Sequence, residues 1–338
     1  QESRYQTALI GKLHLFYYLP PSAENARKTG FDHVELHDGS HSTDRWSDYV
    51  AWRNKHDPLR RVYYRSLAKD VPELAGQLKP GTNPFRCAID EQYTDTSWTG
   101  ERTRRALREL AAADRPFFLY SSFWKPHSPF EVPVPFDSLY NDVEFDLPKA
   151  ESLEDIQRQP LPLQKLILRG KKPPYDMDRT LLQWIYRSYY GAITHIDREV
   201  GRILKTLEET GQADNTIVVF TSDHGDQLLE HGLMGKNVFF EASVRVPMMV
   251  RLPQKIRPGQ HDALVGTIDL FPTLMDLCGL PVPDDCHGRS LLPLISPSPG
   301  KYTPREAVHS ENINPEVITG GSLDFEFVPG QGIKGIRH

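Results

Sequence analysis

A chain of 338 residues with 38% hydrophobic content can bury a sizeable core, and its length allows one large domain or two. Its 40 basic and 45 acidic residues give a net charge of -5 with no basic stripe, which argues against nucleic acid as a partner. No apolar stretch is long enough to span a bilayer and no signal peptide opens the chain, so nothing in it reports a compartment directly.

Residues 7 to 10 read as a short buried strand, followed by polar loop and a helix from Asp44 to His56 that Asp44 caps, with Trp46, Tyr49, Val50 and Trp52 as its apolar contacts. Thr99 to Ala113 reads as a second helix, and after the Asp114-Arg115-Pro116 break it feeds a strand from Phe117 to Phe123. Residues 131 to 176 carry many prolines without sustained periodicity, which predicts a long excursion outside the core. A long helix from Asp178 to Thr210 follows. Its stripe of Ile193, Ile196, Val200, Ile203, Leu204 and Leu207 is predicted to pack on a sheet, and Gly211 closes it with a left-handed cap.

After the turn at Asp214-Asn215, strands are predicted at Thr216 to Thr221, Val246 to Arg251 and Leu264 to Gly266, then a helix from Asp269 to Cys278 closed by Gly279. Ser296-Pro-Ser-Pro-Gly300 is the best linker, which divides the chain into residues 1–296 and a small C-terminal unit beginning within 297–338. Strands alternating with helices, and apolar on both faces, indicate an α/β fold: a largely parallel central sheet with helices on both faces. The chain starts almost at once with a buried-looking strand and ends in Gly332-Ile-Lys-Gly-Ile-Arg-His338, which reads as the beginning of another; both ends are expected to continue into further sequence.

Three apolar runs end in polar, chemistry-bearing residues, and in open α/β sheets such endings collect catalytic groups. The run Ile217-Val-Val-Phe-Thr-Ser-Asp-His-Gly-Asp226 delivers Asp223 and His224. A carboxylate oxygen suits calcium or magnesium, an imidazole also suits zinc or manganese, and Gly225 permits a bend that could bring both to one ion. A capping aspartate and a loop histidine would give the same tripeptide. Lys12 and His14 stand two apart and share a face if the first strand continues, an ammonium and an imidazole able to hold an anionic oxygen and move a proton. Taken singly, Lys12 reads as a solvated charge and His14 as a satisfied polar residue. His127 lies in a loop stiffened by Pro126 and Pro129, and Lys236 in Gly235-Lys-Asn237 reads alone as an exposed lysine. Lys125, His231 and the group His33, His37, Asp38 and His41 are weaker candidates, the last a polar loop with a role in substrate contact. Cys87, Cys278 and Cys286 lack C-x-x-C spacing; a Cys278–Cys286 disulfide is open, and two free thiols are the simpler reading.

Tyr5-Gln-Thr-Ala-Leu-Ile-Gly-Lys-Leu-His-Leu15 resembles the second signature of the sulfatase family, and Lys125-Pro-His-Ser-Pro-Phe130 resembles that family's histidine loop. Asn215 to Asp226, Gly232 to Val238 and Arg245-Val-Pro247 look like its metal strand and lysine segment; Gly266 to Leu274 and His287-Gly-Arg-Ser-Leu291 match in order, so the resemblance covers nearly the whole chain. It implies an alkaline-phosphatase-like sandwich. Asp223 and His224 would be metal ligands, for Ca2+ ahead of Mg2+, Mn2+ or Zn2+. Lys12 and Lys236 would hold sulfate oxygens, His14 would support the nucleophile, and His127 would contact the sulfate or protonate the leaving group. The form of the histidine loop is similar to that of iduronate-sulfatase-like and sugar-sulfatase members, which implies a carbohydrate sulfate ester as substrate and an extracytoplasmic location.

The sequence departs from the family in holding no Cys-x-Pro-Ser-Arg type motif, the source of the formylglycine nucleophile, and no earlier aspartate pair. Arg4 and Leu13 stand where a glycine and an aromatic are usual. The chain is therefore expected to lack its first strand and nucleophile and to be inactive as it stands, with formylglycine supplied from upstream. Two other readings are a phosphonate monoester or phosphodiester hydrolase of the same superfamily, and a noncatalytic anion-binding relative. Oligomeric state has no readable signature.

Overall fold

The computed structural model describes residues 5–14, 29–38, 47–58, 86–87, 89–168, 177–297, 300, 302–310, 327–328 and 332–333. Its strands and α-helices run, in chain order, β1 Gln6–Gly11, β2 His33–Leu36, α1 Asp48–His56, α2 Asp95–Ala111, β3 Phe117–Ser122, α3 Leu153–Gln157, α4 Leu161–Ile167, α5 Arg179–Glu209, β4 Val218–Thr221, α6 Glu241–Val244, β5 Met248–Arg251, α7 Leu270–Cys278, α8 Leu292–Ile295, β6 Phe327–Val328 and β7 Gly332–Ile333. The chain forms two compact units, Gln1–Leu147 with Met177–Ala213 and Pro148–Asp176 with Asp214–His338.

The first unit is built on a parallel sheet in the order β2-β1-β3. β1 is central, so both its edges are hydrogen-bonded, and Leu9 and Ile10, which point to opposite faces, have no exposed surface. Burying each such side chain contributes roughly 1.5–3 kcal/mol. Helix α2 packs on β1, β3 and α5. It starts four residues before the predicted Thr99, because the Thr94 hydroxyl accepts the Ser97 amide and so caps an earlier turn that buries Trp98. Helix α1 likewise starts at Ser47, whose hydroxyl accepts the Val50 amide; the predicted cap Asp44 and contact Trp46 lie outside the described residues.

Helix α5 has the predicted bounds, with Asp178 accepting the Leu181 amide and Gly211 left-handed at φ 70. Its dry face is not the predicted stripe. Ile193 is exposed, Ile196, Val200, Ile203 and Leu204 are half-buried, Leu207 alone of the stripe is buried, and the buried line runs through Ser188, Ala192, His195, Glu199 and Thr206. A hydropathy pattern passes over His195 and Glu199 because it cannot see their partners: Ser97 Oγ lies 3.0 Å from His195 Nε2, and Arg202 donates to Glu199 at 2.6 Å. The main neighbour of α5 is helix α2 rather than the sheet.

In the second unit β4 and β5 pair antiparallel, Phe220 opposite Met249. Of the predicted excursion 131–176, the described part, 131–168, does not lie outside the core, and 169–176 fall outside the described residues. Val132 and Phe136 pack with Ala192 in the first unit, and Ile156 and Ile167 pack with Leu233 in the second. Helices α3 and α4, of 5 and 7 residues, are too short to show a period, although the Ser152/Asp155 capping box is a legible start. The expected strand at Leu264–Gly266 does not form. Gly266 instead opens a 3-10 turn, its amide donating to Asp269 at 2.9 Å. Asp269 is fully buried and also accepts the Arg289 amide at 2.8 Å and both guanidinium NH2 groups of Arg305, one at 2.7 Å. Cys87, Cys278 and Cys286 are free thiols, as the simpler reading had it.

Burial alone would raise the Asp269 carboxyl, but the Arg305 hydrogen bond, the Arg289 and Gly266 amides and the Arg305 charge outweigh it and hold the group below its ordinary 3.8. A depressed folded value means that the stability Asp269 contributes is present above pH 3.8 and is lost as pH falls through the lower folded value. Asp269→Asn leaves Arg305 short of its counter-charge and is expected to destabilise the second unit by about 3–5 kcal/mol at neutral pH. Urea denaturation followed from pH 7 downward checks both the loss and its narrowing in acid.

Candidate functional site

Strand β1 ends at Gly11 in a contact that admits no side chain. A Cβ built on Gly11 would lie 2.0 Å from the Ser122 carbonyl oxygen, and φ is +98, so no other residue fits without displacing β3. The backbone remains tied just beyond it, with Lys12 N donating to Ser122 O at 3.0 Å and His37 N donating to Gly11 O at 2.9 Å. Lys12 is buried at 7% exposure rather than solvated. The strand does not continue to residue 14, so the argument that Lys12 and His14 share a strand face fails. His14 is exposed and left-handed at φ 52, and its amide and that of Leu13 both donate to Asp38 Oδ1, at 2.9 and 2.7 Å. The histidine group near Asp38 is not a polar loop either. His33 lies in β2 against Glu35 at 3.2 Å, and His37 is 1% exposed, 3.0 Å from Ser47 Oγ and 3.7 Å from Asp95 Oδ2. His41 lies outside the described residues.

The loop Trp124–Phe130 leaves β3 of the same unit. The His127 ring stacks on Trp124 at 5.3 Å with 27° between planes, and His37 meets Trp124 at 6.1 Å from the edge. His127 Nδ1 lies 2.8 Å from the Ser128 carbonyl, an acceptor only, so Nδ1 carries a proton there. Lys125 is 5% exposed and its ammonium sits 4.9 Å over the Trp124 ring. Burial lowers the Lys125 ammonium from its ordinary value, opposed by the charges of Asp95 and Glu131. Glu131 is pushed up to about 7, by burial first and then by Asp95, with Lys125 pulling the other way. Burial also drives the Cys87 thiol up to about 12, which makes it inert as a nucleophile.

In the second unit, β4 ends at Thr221 and the chain turns through Asp223 and His224. Gly225 is required by close approach: a Cβ there would lie 2.0 Å from the Ala242 carbonyl oxygen, and its amide donates to Ser243 O at 2.8 Å. Asp223 Oδ1 accepts the His224 amide at 3.0 Å, and Asp223 Oδ2 lies 3.5 Å from His224 Nε2. His224 Nδ1 donates to the Gly225 carbonyl at 2.8 Å, which turns the Nε2 lone pair toward Lys236 Nζ, 2.7 Å away. Carboxylate, imidazole and ammonium are therefore one cluster.

Of the six residues singled out by sequence, the structure brings Asp223, His224 and Lys236 together in one unit; Lys12, His14 and His127 lie at the ends of β1 and β3 in the other. Asp226 was missed. Its Oδ1 accepts both Leu228 N at 3.1 Å and Gly235 N at 3.0 Å, tying the Lys236 segment back to the strand end, and an aspartate two residues before a hydrophobic pair is a turn signal that could have shown it. His231 stacks on Phe240 at 3.9 Å within the second unit. Among the described residues no group of three or more His, Cys, Asp or Glu forms a ready metal cage, and no helix is long and apolar enough to cross a membrane.

A sequence profile of the family described as Sulfatase matches residues 1–280. An endo-4-O-sulfatase of Bacteroides thetaiotaomicron is 32% identical over 99% of this chain and 61% of its own length, and an arylsulfatase of Clostridium perfringens is 28% identical over 91% and 63%. A phosphonate monoester hydrolase of Agrobacterium radiobacter is similar in structure, with a TM-score of 0.67 and 27% identity over 88% of this chain and 60% of that one. The fold is thus the alkaline-phosphatase-like α/β arrangement expected from the sequence. The chain spans about two-thirds or less of the length of these relatives.

Glu131 gives the loop beneath His127 a pH signature. Its folded value of about 7 stands above its ordinary 4.5, so the stability gained from the neutral carboxyl is complete below pH 4.5 and is lost as pH rises through about 7. Glu131→Gln, neutral at every pH, is expected to remove this fall. Denaturant midpoints of both proteins between pH 4 and pH 8 supply the difference curve, and parallel curves would contradict the assignment.

Proposed function

Because the chain belongs to the sulfatase family, we propose that its strand-end residues serve the hydrolysis of an organic sulfate ester to an alcohol and sulfate at a divalent-cation site. The observation that carries this is the His224 ring, whose Nε2 lone pair is aimed by the Gly225 carbonyl and met by the Lys236 ammonium, with the Asp223 carboxylate 3.5 Å away.

This donor set fits a divalent cation. Asp223 offers hard oxygens and His224 a neutral nitrogen whose ring N–H is held by a carbonyl, and the Lys236 ammonium takes the place on that nitrogen that an ion would take. Asp223 and His224 would hold the ion, calcium ahead of magnesium, manganese or zinc, with further ligands from outside this pair. When bound, such an ion stabilises negative charge on sulfate oxygens as a Lewis acid. The Nε2 lone pair serves one partner at a time, so with an ion on it the Lys236 ammonium would leave His224 and turn its three N–H donors to an anionic oxygen. Formylglycine does not fit the residues present. Cys87 is buried and inert, and none of the three cysteines is followed by the x-Pro-Ser-Arg run, so no step through that group is derived.

In the reaction the ester S–O bond breaks, the leaving oxygen takes a proton, and the oxygen of water ends on sulfate. His127, with Nδ1–H held by Ser128, is suited to deliver that proton from Nε2 when the ring is doubly protonated, and is left as the neutral Nδ1–H imidazole. Lys12 offers a buried ammonium, and in a low-dielectric setting its attraction for a sulfate oxygen is stronger than at a surface. His14, fixed through its amide to Asp38, is assigned to support of the attacking group. The endo-4-O-sulfatase relative and the form of the histidine loop favour a carbohydrate sulfate as substrate. The likeness to a phosphonate monoester hydrolase keeps a second reading, in which the same residues hold a phosphoryl group.

Calorimetric titration of calcium into this chain is expected to show a single site that Asp223→Asn or His224→Ala weakens more than about tenfold; equal binding by all three proteins would remove the metal assignment. The chain by itself is expected to turn over no aryl sulfate, and measurable turnover would show that these residues do contain a nucleophile. Joined to a nucleophile-bearing segment, the protein should cleave aryl sulfate faster than aryl phosphonate monoester, with the reverse order favouring the second reading.

A further inference from the structure

Lys125 is not among the residues given a part in the reaction above, yet it is the most deeply buried cation in its loop. Its ammonium does not reach outward. It turns back to donate to the carbonyl of Pro129, four residues on, and rests 4.9 Å over the Trp124 ring. His127 stands at the middle of the span that this bond closes, stacked on the same tryptophan, with its amide donating to Trp124 O at 3.3 Å. Trp124 is in turn 7% exposed and meets the buried His37, so the platform beneath His127 is anchored in the core.

An ammonium in such a setting is expensive to hold unless it is paired. If only core packing were needed at position 125, methionine would fill the space of the lysine stem at no electrostatic cost. What the charge adds is a directed donor that joins the two ends of a loop from inside, at a carbonyl that cannot be reached by the adjacent prolines, which have no N–H. Closing the span from 125 to 129 removes the freedom through which the His127 ring could leave Trp124 or give up the Ser128 carbonyl.

We propose that Lys125 is a positioning residue for His127: by bonding Pro129 across the loop and bearing on Trp124, it holds the His127 ring with Nδ1–H on the Ser128 carbonyl, so that Nε2 is the nitrogen presented to substrate. This rests on the reading of His127 as the group that meets the sulfate or its leaving oxygen. Lys125 itself touches no reacting atom. Its effect passes through the orientation of one imidazole, whose misplacement by about 1 Å can reduce turnover by about 100-fold.

The test is nuclear magnetic resonance of the chain carrying 13C,15N-labelled histidine and lysine, with His127 and Lys125 assigned through bonds from their own backbone signals. In the unaltered protein the His127 ring should show the Nδ1–H tautomer in excess of Nε2–H by about tenfold or more, and the Lys125 ammonium protons should exchange at least about tenfold more slowly than those of exposed lysines such as Lys205. A mixed tautomer or a rapidly exchanging Lys125 overturns the proposal, and this measurement decides whether or not any variant folds. In folded Lys125→Met the tautomer preference should fall about tenfold while His224 signals stay in place, and Lys125→Arg, which keeps the charged donor, should restore it to within about threefold. A purely structural lysine would lower stability and leave the tautomer of the folded fraction unchanged, which would also overturn the proposal. Failure of the underlying reading is seen separately, as His127→Gln leaving sulfate affinity untouched while the Lys125 results stand.

Discussion

At two places the polypeptide passes a carbonyl oxygen so closely that no side chain can stand between them, and the candidate chemistry comes directly after each. Gly11 runs against Ser122 and Gly225 runs against Ala242, with a Cβ at either position lying 2.0 Å from oxygen. Such a contact puts backbone hydrogen bonds where side chains would normally keep elements apart. Lys12 is thereby held between β3 and the segment after β2, and His224 is held beside the helix that begins at Glu241. The precision of each strand end comes from this backbone pairing, not from the polar side chains that use it. A glycine here is therefore as much a requirement for the chemistry as the histidine or lysine beside it.

The first unit keeps an unusual amount of charge dry. Lys12, Lys125, His37, Asp95 and Glu131 are all less than 9% exposed, and an isolated ion in such a place would cost several kcal/mol. The structure offsets this by proximity. Asp95 raises and burial lowers the Lys125 ammonium, while burial and Asp95 together keep Glu131 protonated to about pH 7. With Glu131 neutral, the Lys125 ammonium faces a single carboxylate, that of Asp95. A network of this kind has few alternative arrangements, because moving any member leaves a partner unpaired, and rigidity is what the loop needs if His127 has the proton-transfer role proposed for it.

Much of this was legible in the amino-acid order. The strand β1 is a run of Ala, Leu and Ile between Gln6 and Gly11, and α5 announces both ends through Asp178 and Gly211, so the elements that depend on local chemistry were placed to within a residue or two. The elements that depend on distant partners were not. His195 and Glu199 occupy the dry face of α5 because Ser97 and the arginines satisfy them, and a hydropathy pattern gives the opposite assignment. Leu264–Gly266 looked like a strand by composition, yet no neighbouring strand pairs with it among the described residues and Asp269 recruits the Gly266 amide instead. At the site, residue types at strand ends marked Asp223, His224, Lys12 and His127, but the tautomers, the burial of Lys12 and the role of Asp226 rest on hydrogen bonds between segments that spacing alone cannot show.

The contact between His224 and Lys236 illustrates how the second unit secures a pair that would not hold itself. A hydrogen bond between an ammonium and an imidazole is modest in net terms, and the two residues stand 12 positions apart, so closing that loop must draw on other sources. Asp226 supplies one by accepting both Leu228 N and Gly235 N, and Gln227 N adds another by donating to Gly235 O at 2.8 Å. Within the span Leu228, Leu229 and His231 adopt positive φ, at 42, 74 and 55, a conformation that disfavours residues with a Cβ. Leu228 and Leu229 are buried, so hydrophobic burial offsets that strain. Lys236 is thus brought to His224 by its neighbours and not by its own bond. Its ammonium can exchange the imidazole for an anionic oxygen without the loop that carries it coming undone.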